Sequence, residues 1–142
     1  MTVKAGDVIP PWEMPSVSAA RMRTMAAILR DPNPVHWDRK AVAALPLGLG
    51  ERTINQGPLG LSYIVNMLHA WAGAGSICKL IMRFPQVVLD GECVVARGEV
   101  TEITFEKDDK NPKGSAHLAH CSVRLEHAER GVLLEGSAIV KV

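Results

Sequence analysis

Aromatic side chains are scarce in this 142-residue chain, at 4% of the total, and neither sign of charge dominates, with 16 Lys and Arg against 15 Asp and Glu. With no basic tract either, nucleic acid is a poor partner, because phosphate binding calls for clustered Lys and Arg. No apolar run approaches the ~20 residues that cross a bilayer, so no membrane span is expected. The opening stretch "MTVKAGDVIPPWEM" has none of the apolar block of a secretory leader, and a cytoplasmic location is expected. Cysteine is equally sparse: Cys78, Cys93 and Cys121 are widely spaced and odd in number. That usage suits reduced, buried thiols and argues against a disulfide frame or a zinc site. No glycine-rich phosphate loop is present, so no nucleotide cofactor is expected.

What is present fits one domain over residues 1–142, long enough to bury a sizeable core. The segment "SVSAARMRTMAAILR" places Met22, Met25, Ala26 and Leu29 on one helical stripe with Arg21, Arg23 and Arg30 off it. Ser16 or Ser18 can cap that helix and Pro32 can end it. Asp38 is a good cap for a second, short helix, "RKAVAAL", running to Pro46. The following "GLGERTINQ" is loop with room for a short strand, and the first third otherwise reads as irregular. Gly57 and Pro58 then start a helix that is apolar almost all round from Leu59 to Trp71 and ends at Gly73 and Gly75. Its polar residues Ser62, Asn66 and His69 share one stripe. Four extended runs follow: "SICKLIMRFPQVVL", "ECVVARGEVTEITF", "SAHLAHCSVRLE" and "VLLEGSAIVKV". The turn signals between them, at Asp90–Gly91, Lys107–Gly114 and Ala128–Gly131, predict consecutive hairpins in an antiparallel sheet. An α+β architecture results, with the sheet wrapped around the long buried helix. A sheet this small leaves edges open to pairing, which a dimer would resolve.

The chemistry concentrates in "LRDPNPVHWD", Leu29 to Asp38. Pro32 and Pro34 fix their own φ, lack N–H donors, and bias Asp31 and Asn33 toward extended backbone. The result is a stiff loop presenting Asp31, Asn33 and His36. Imidazole exchanges a proton near neutral pH, and a nearby carboxylate can orient it or share the proton. An Asp and a His five residues apart are also what a capped helix end with a locally bonded histidine would show.

Asp31-Pro32-Asn33-Pro34-Val35-His36 fits a D-x-N-P-x-H pattern that resembles the signature of the MaoC-like dehydratases, or R-specific enoyl-CoA hydratases. The likeness extends over nearly the whole chain, and "MRFPQVVLDGECVVARGEV" is similar to the family's strand–turn–strand. The resemblance implies a hotdog fold and a hydro-lyase acting reversibly on a 2-enoyl-CoA, giving an R-3-hydroxyacyl thioester. It implies that Asp31 and His36 activate a water and that Asn33 supports the loop or that water. It implies that the Gly57 N–H polarises the thioester carbonyl, and that Ser62 faces the site. The first N–H groups of a helix are unpaired and favour a developing enolate oxygen, which makes the Gly57 role sound physics. Ser62 has an equal reading as a small residue for close packing. Arg30 stands where the family commonly has glycine, and Gln56 where many members have histidine. Both departures bear on substrate choice more than on reaction type.

Two rival readings remain. A hotdog thioesterase would usually carry its acid on the central helix, and Leu59 to Trp71 has neither Asp nor Glu. A heteromeric dehydratase would pair this chain, as the loop-bearing catalytic partner, with a second hotdog chain acting on carrier-protein or sterol side-chain thioesters. The partners expected are therefore an acyl-CoA and a second copy, or such a second chain; the lack of a strong basic patch favours coenzyme A over a carrier protein. Metal is not expected: His117, His120 and His127 are spaced so that they do not converge on one sheet face. Gly48, Gly50, Gly60, Gly73 and Gly75 with Met25, Met67 and Met82 suit a roomy acyl pocket and close helix–sheet packing alike.

Overall fold

The computed structural model describes residues 2–107 and 116–142. Gly57 and Pro58 do start a helix, α3 (Gly57–Ala72), with extended Gln56 as its cap residue and Gly73, at φ 89, beyond its end. Leu59, Gly60, Tyr63, Ile64, Met67 and Leu68 are buried. Burial is one-sided, not the all-round burial that the apolar run predicts: Ser62, Val65 and His69 are half-buried and Asn66 is exposed. The reason is that a single sheet covers one side of the helix.

That sheet has five strands in the order β1-β3-β4-β5-β2: β1 (Val8–Met14), β2 (Ile77–Arg83), β3 (Val94–Glu106), β4 (Ala116–His127) and β5 (Gly131–Lys141). Every neighbouring pair is antiparallel, and α3 touches all five strands. An α+β hotdog arrangement, sheet over central helix, is what the sequence predicts. The β3–β4 and β4–β5 hairpins are also as expected, with Gly131 at φ 74 opening the second. The expected turn at Lys107–Gly114 falls, apart from Lys107, outside the described residues.

Two expectations about the sheet are corrected. The first third is not merely irregular and helical: "VIPPWEM" is the edge strand β1, paired with β3. Its register shifts between Ile9 and Trp12, where Pro10 and Pro11 sit. Proline has no N–H for the ladder, so it is tolerated only at such an edge and irregularity. Ile9 and Met14 are nonetheless buried, and Trp12 stacks on Tyr63 at 5.7 Å. Second, Asp90–Gly91 does not join a hairpin. β2 is shorter than predicted and pairs with β5, while β3 pairs with β1 and β4. Asp90 is instead buried, accepting from the Thr53 N–H at 3.1 Å and the Thr53 hydroxyl at 2.6 Å. Its other partner is Arg39, 3.0 Å away.

The expectation that all three cysteines are buried holds for Cys121 alone; Cys78 and Cys93 are exposed. Burial pushes the Cys121 thiol up to about 11.

On β5, Gly136 lies opposite Met82 of β2, and a Cβ there would stand 1.9 Å from the Ile81 carbonyl oxygen. Backbone cannot yield as a side-chain tip would. Gly136→Ala should therefore lower stability by about 2 kcal/mol or more, read as the shift in a urea unfolding midpoint. An unchanged midpoint would mean that β2 and β5 do not approach this closely.

Candidate active site

The loop is built from the end of the first helix. α1 (Ala19–Leu29) starts at Ser18, whose Oγ accepts from the Arg21 N–H at 3.3 Å. Met22 and Ala26 are buried, while Leu29, expected on the same stripe, is 44% exposed. The helix ends at Leu29, three residues before Pro32. Arg30 adopts φ 52, ψ 41, the left-handed conformation, and is the one non-glycine residue with positive φ among those described. The N–H groups of Arg30 and Asp31 donate back to the carbonyls of Ala27 and Ala26 at 3.2 and 2.9 Å. This closure is ordinarily given to glycine, which has no Cβ penalty there.

Asp31 Oδ1 then accepts the Asn33 N–H at 3.0 Å, and Asn33 Oδ1 accepts the Val35 N–H at 3.3 Å. Asn33 thereby caps the single 3-10 turn Pro34–His36. The Ile54 N–H donates to the Val35 carbonyl at 2.8 Å, clamping the loop to the strand-like segment before α3. Asp38 caps α2 (Arg39–Ala43), shorter than predicted, by accepting from Lys40 and Ala41 N–H groups. The short strand anticipated near Ile54 is a single bridge to Leu89.

His36 Nε2 lies 3.3 Å from Asp31 Oδ2, with the imidazole 13% and the carboxylate 30% exposed. His36 Nδ1 lies 2.6 Å from the Ile54 carbonyl oxygen. A carbonyl can only accept, so Nδ1 carries the hydrogen. In the neutral ring Nε2 is then a lone pair facing the carboxylate. Nε2 and the carboxylate can then share one proton, or both accept from one donor.

His36 opens on a cavity of about 300 Å³ walled by Ile54, Phe84, Val87, Val88 and Leu134. Gly57 lines the same cavity. Gln56 offers no side-chain cap to the first turn of α3 and Pro58 has no N–H, so the Gly57 N–H has no intrahelical partner. The Phe84 ring lies beside it, 3.5 Å from where a Gly57 Cβ would stand. The structure thus brings together Asp31, Asn33, His36 and Gly57. It does not bring Ser62 to them: that hydroxyl is half-buried on the less covered side of α3 and donates to the Leu59 carbonyl at 2.6 Å. Three of the other histidines have local partners. His120 Nε2 is 3.0 Å from Thr104 Oγ1, His127 Nδ1 accepts from Glu129 and Arg130 N–H groups, and His117 packs on Phe105.

The family model for the MaoC like domain matches residues 11–120. This chain belongs to the MaoC-like dehydratase family. No curated protein matches it closely enough to add a relative. Among solved structures, the (R)-hydratase of A. caviae involved in PHA biosynthesis is similar at TM-score 0.78 and 24% identity, over 99% of this chain and 98% of that one. R-hydratase PhaJ1 of Pseudomonas aeruginosa is similar at TM-score 0.76 and 22% identity, over 97% and 81%. A chain of the ChsH1–ChsH2 complex of Mycobacterium tuberculosis is similar at TM-score 0.74 and 20% identity, over 100% and 99%. At such identities the likeness establishes the hotdog fold.

Some residues of this MaoC-like site escaped the sequence reading as contacts. Gln56 is 2% exposed, and its Nε2 donates to the Met22 carbonyl at 2.8 Å, tying the start of α3 to α1. Its Oε1 has no partner among the described residues. Asn55 Nδ2 donates to the Gln56 carbonyl, and the Tyr63 hydroxyl donates to Asn55 Oδ1 at 3.4 Å. Only the polar run "INQ" before Gly57 signalled them, and it reads equally as loop. The Phe84–Val88 wall had no local signal, since that segment reads as strand.

The left-handed Arg30 generates a stability prediction. Arg30→Gly should raise stability by about 1 kcal/mol, because an L side chain in that conformation costs roughly 1–2 kcal/mol. Equilibrium unfolding in urea measures it; a loss of stability would mean that the side chain contributes more than its backbone strain takes away.

Proposed function

We propose that this chain is a hydro-lyase that adds water across the double bond of a 2-enoyl-CoA, or removes it from a 3-hydroxyacyl-CoA, with R configuration at the hydroxyl carbon. The observation that carries this reading is the Asp31–His36 pair, with its tautomer set by the Ile54 carbonyl, beside a cavity that also holds the start of α3. In hydration, the pair holds a water and takes one of its protons as the oxygen bonds to the β-carbon. The π electrons move to the thioester carbonyl, whose developing oxyanion accepts from the Gly57 N–H at the positive end of the helix dipole. The enolate then collapses as the pair gives its proton to the α-carbon. Atoms balance with the pair unchanged, and both new groups reach the same face because one pair serves both steps. Asn33 positions the pair by capping the turn that carries His36. The absence of Asp and Glu from α3 disfavours the thioesterase alternative.

Asp31→Asn and His36→Ala should each lower kcat by about 10²–10⁴, followed as loss of the conjugated-thioester absorbance, with unfolding midpoints close to the parent. Undiminished turnover in both variants would overturn the assignment.

The assembly reading is a homodimer. Both sheet edges, β1 and β2, are open in the single chain, and Ile81, Phe84 and Val87 are exposed at or just beyond β2. A heteromer is the second reading, supported by the similarity to a chain of a two-protein complex. Gel filtration of the chain expressed alone should give a dimer; mixed aggregates would favour a missing partner chain.

A further inference from the structure

Two acids are buried among the described residues, Asp90 and Glu92, and the reaction above uses neither. A buried ion pair is often no more stable than an apolar pair of the same volume. What it adds is directed bonds that admit one arrangement. Asp90 directs its bonds to two segments that are distant in sequence and meet at His36. Its Oδ2 receives the Thr53 N–H, the Thr53 hydroxyl and the Arg39 guanidinium. Thr53 precedes Ile54, whose carbonyl holds His36 Nδ1. Arg39 follows His36 by three residues, and the chain between them has little slack. The N–H groups of Trp37 and Asp38 both donate to the Pro34 carbonyl, at 3.1 and 2.7 Å, and Asp38 caps the helix that starts with Arg39.

Backbone bonds already ladder residues 53–55 against residues 88–90. The Asp90 N–H donates to the Thr53 carbonyl at 3.0 Å and the Asn55 N–H to the Val88 carbonyl at 2.7 Å. That ladder includes no residue of α2. The Asp90 carboxylate reaches α2 at 3.0 Å through Arg39, which also donates to the Glu51 carbonyl at 3.3 Å. A ring of contacts closes, from His36 through Ile54, Thr53, Asp90 and Arg39 and back along the chain to His36. Glu92 serves another flank, where Arg130 grips both its oxygens and donates to the Val87 carbonyl of the cavity wall.

We infer that Asp90 is a positioning residue for His36, holding the imidazole and the carbonyl that sets its tautomer in one register. Its effect on turnover rests on the hydro-lyase reading; its effect on the ring rests on this geometry alone.

The test reads ring and turnover separately. The full chain, nitrogen-labelled at histidine, gives long-range proton–nitrogen correlations at a pH where the ring is neutral, and the His36 signals are those lost in His36→Ala. The parent should carry the His36 hydrogen on Nδ1. In Asp90→Asn and in Arg39→Gln, each shown folded by circular dichroism, the second tautomer should appear. Gly136→Ala, which lowers stability away from these bonds, should leave the ring as in the parent. With a short and a long 2-enoyl-CoA, kcat should fall about 10–10²-fold in either single variant at unchanged KM. The double variant should be no slower than the slower single one, because both break one link. A parent-like ring or undiminished kcat in folded Asp90→Asn overturns the inference, as does a parent whose hydrogen is not on Nδ1. Losses that multiply in the double variant, or an equal tautomer change in Gly136→Ala, overturn it too. Should Asp90→Asn fail to fold, Arg39→Gln decides by the same readings, since the Arg39 side chain is 48% exposed. If the ring responds as expected but no 2-enoyl-CoA is hydrated, Asp90 still positions His36 and the hydro-lyase reading falls.

Discussion

The contact between α3 and the sheet is the constraint on which the rest of the molecule depends. Leu59, Tyr63, Ile64, Met67 and Leu68 can leave water together only against a surface that supplies apolar residues over the full length of the helix. β1, β3, β4, β5 and β2 supply it with Ile9, Val94, Ala96, Val123, Leu134 and Ala138 among others. Removing such side chains from water stabilises by about 1.5–3 kcal/mol each. Once the helix is seated, its first residue is seated too. Gly57 has no freedom to move independently of a core that runs the length of the sheet.

Polar bonds then place the loop relative to that helix start. The Gln56 amide reaches the Met22 carbonyl and links α3 to α1. The Ile54 carbonyl receives His36 Nδ1, while the Ile54 N–H meets the Val35 carbonyl. Ile54, three residues before Gly57, thus specifies where the imidazole stands and which nitrogen carries its hydrogen. Buried hydrogen bonds of this kind contribute modestly when made and cost more when broken, so they act on position more than on stability. Gln56 Oε1 is the one buried side-chain polar atom left unpartnered among the described residues.

Much of this was legible locally. The helix start at Gly57–Pro58, the Ser18 and Asp38 caps and the stiff Asp31–His36 loop follow from interactions within a few residues, so spacing alone reveals them. What escaped was nonlocal or went against local preference. β1 was hidden because prolines suppress a strand signal, yet an edge tolerates them. Asp90–Gly91 was read as a hairpin because its turn chemistry is the same whether or not the flanking strands pair. Arg30 was unreadable as a left-handed residue, since arginine carries no preference for that conformation. Ser62, Asn66 and His69 share a stripe as predicted, but only the position of the sheet shows that the stripe lies on the less covered side.

By itself the sequence determined the elements whose energetics are local: the starts of α1, α2 and α3, the hairpins β3–β4 and β4–β5, and an acid and an imidazole held in one rigid loop. The tertiary structure decided what depends on segments distant along the chain. These are the pairing of β2 with β5, the tautomer imposed on His36 by Ile54, and the cavity wall from Phe84 to Val88. It also left the arginines of α1 and its cap, Arg21, Arg23 and Arg30, without carboxylates among the described residues, while every other arginine found one. Local interactions act over a few residues and leave a pattern in the sequence. Contacts between distant segments are chosen by the burial of the whole core, and no short stretch records them.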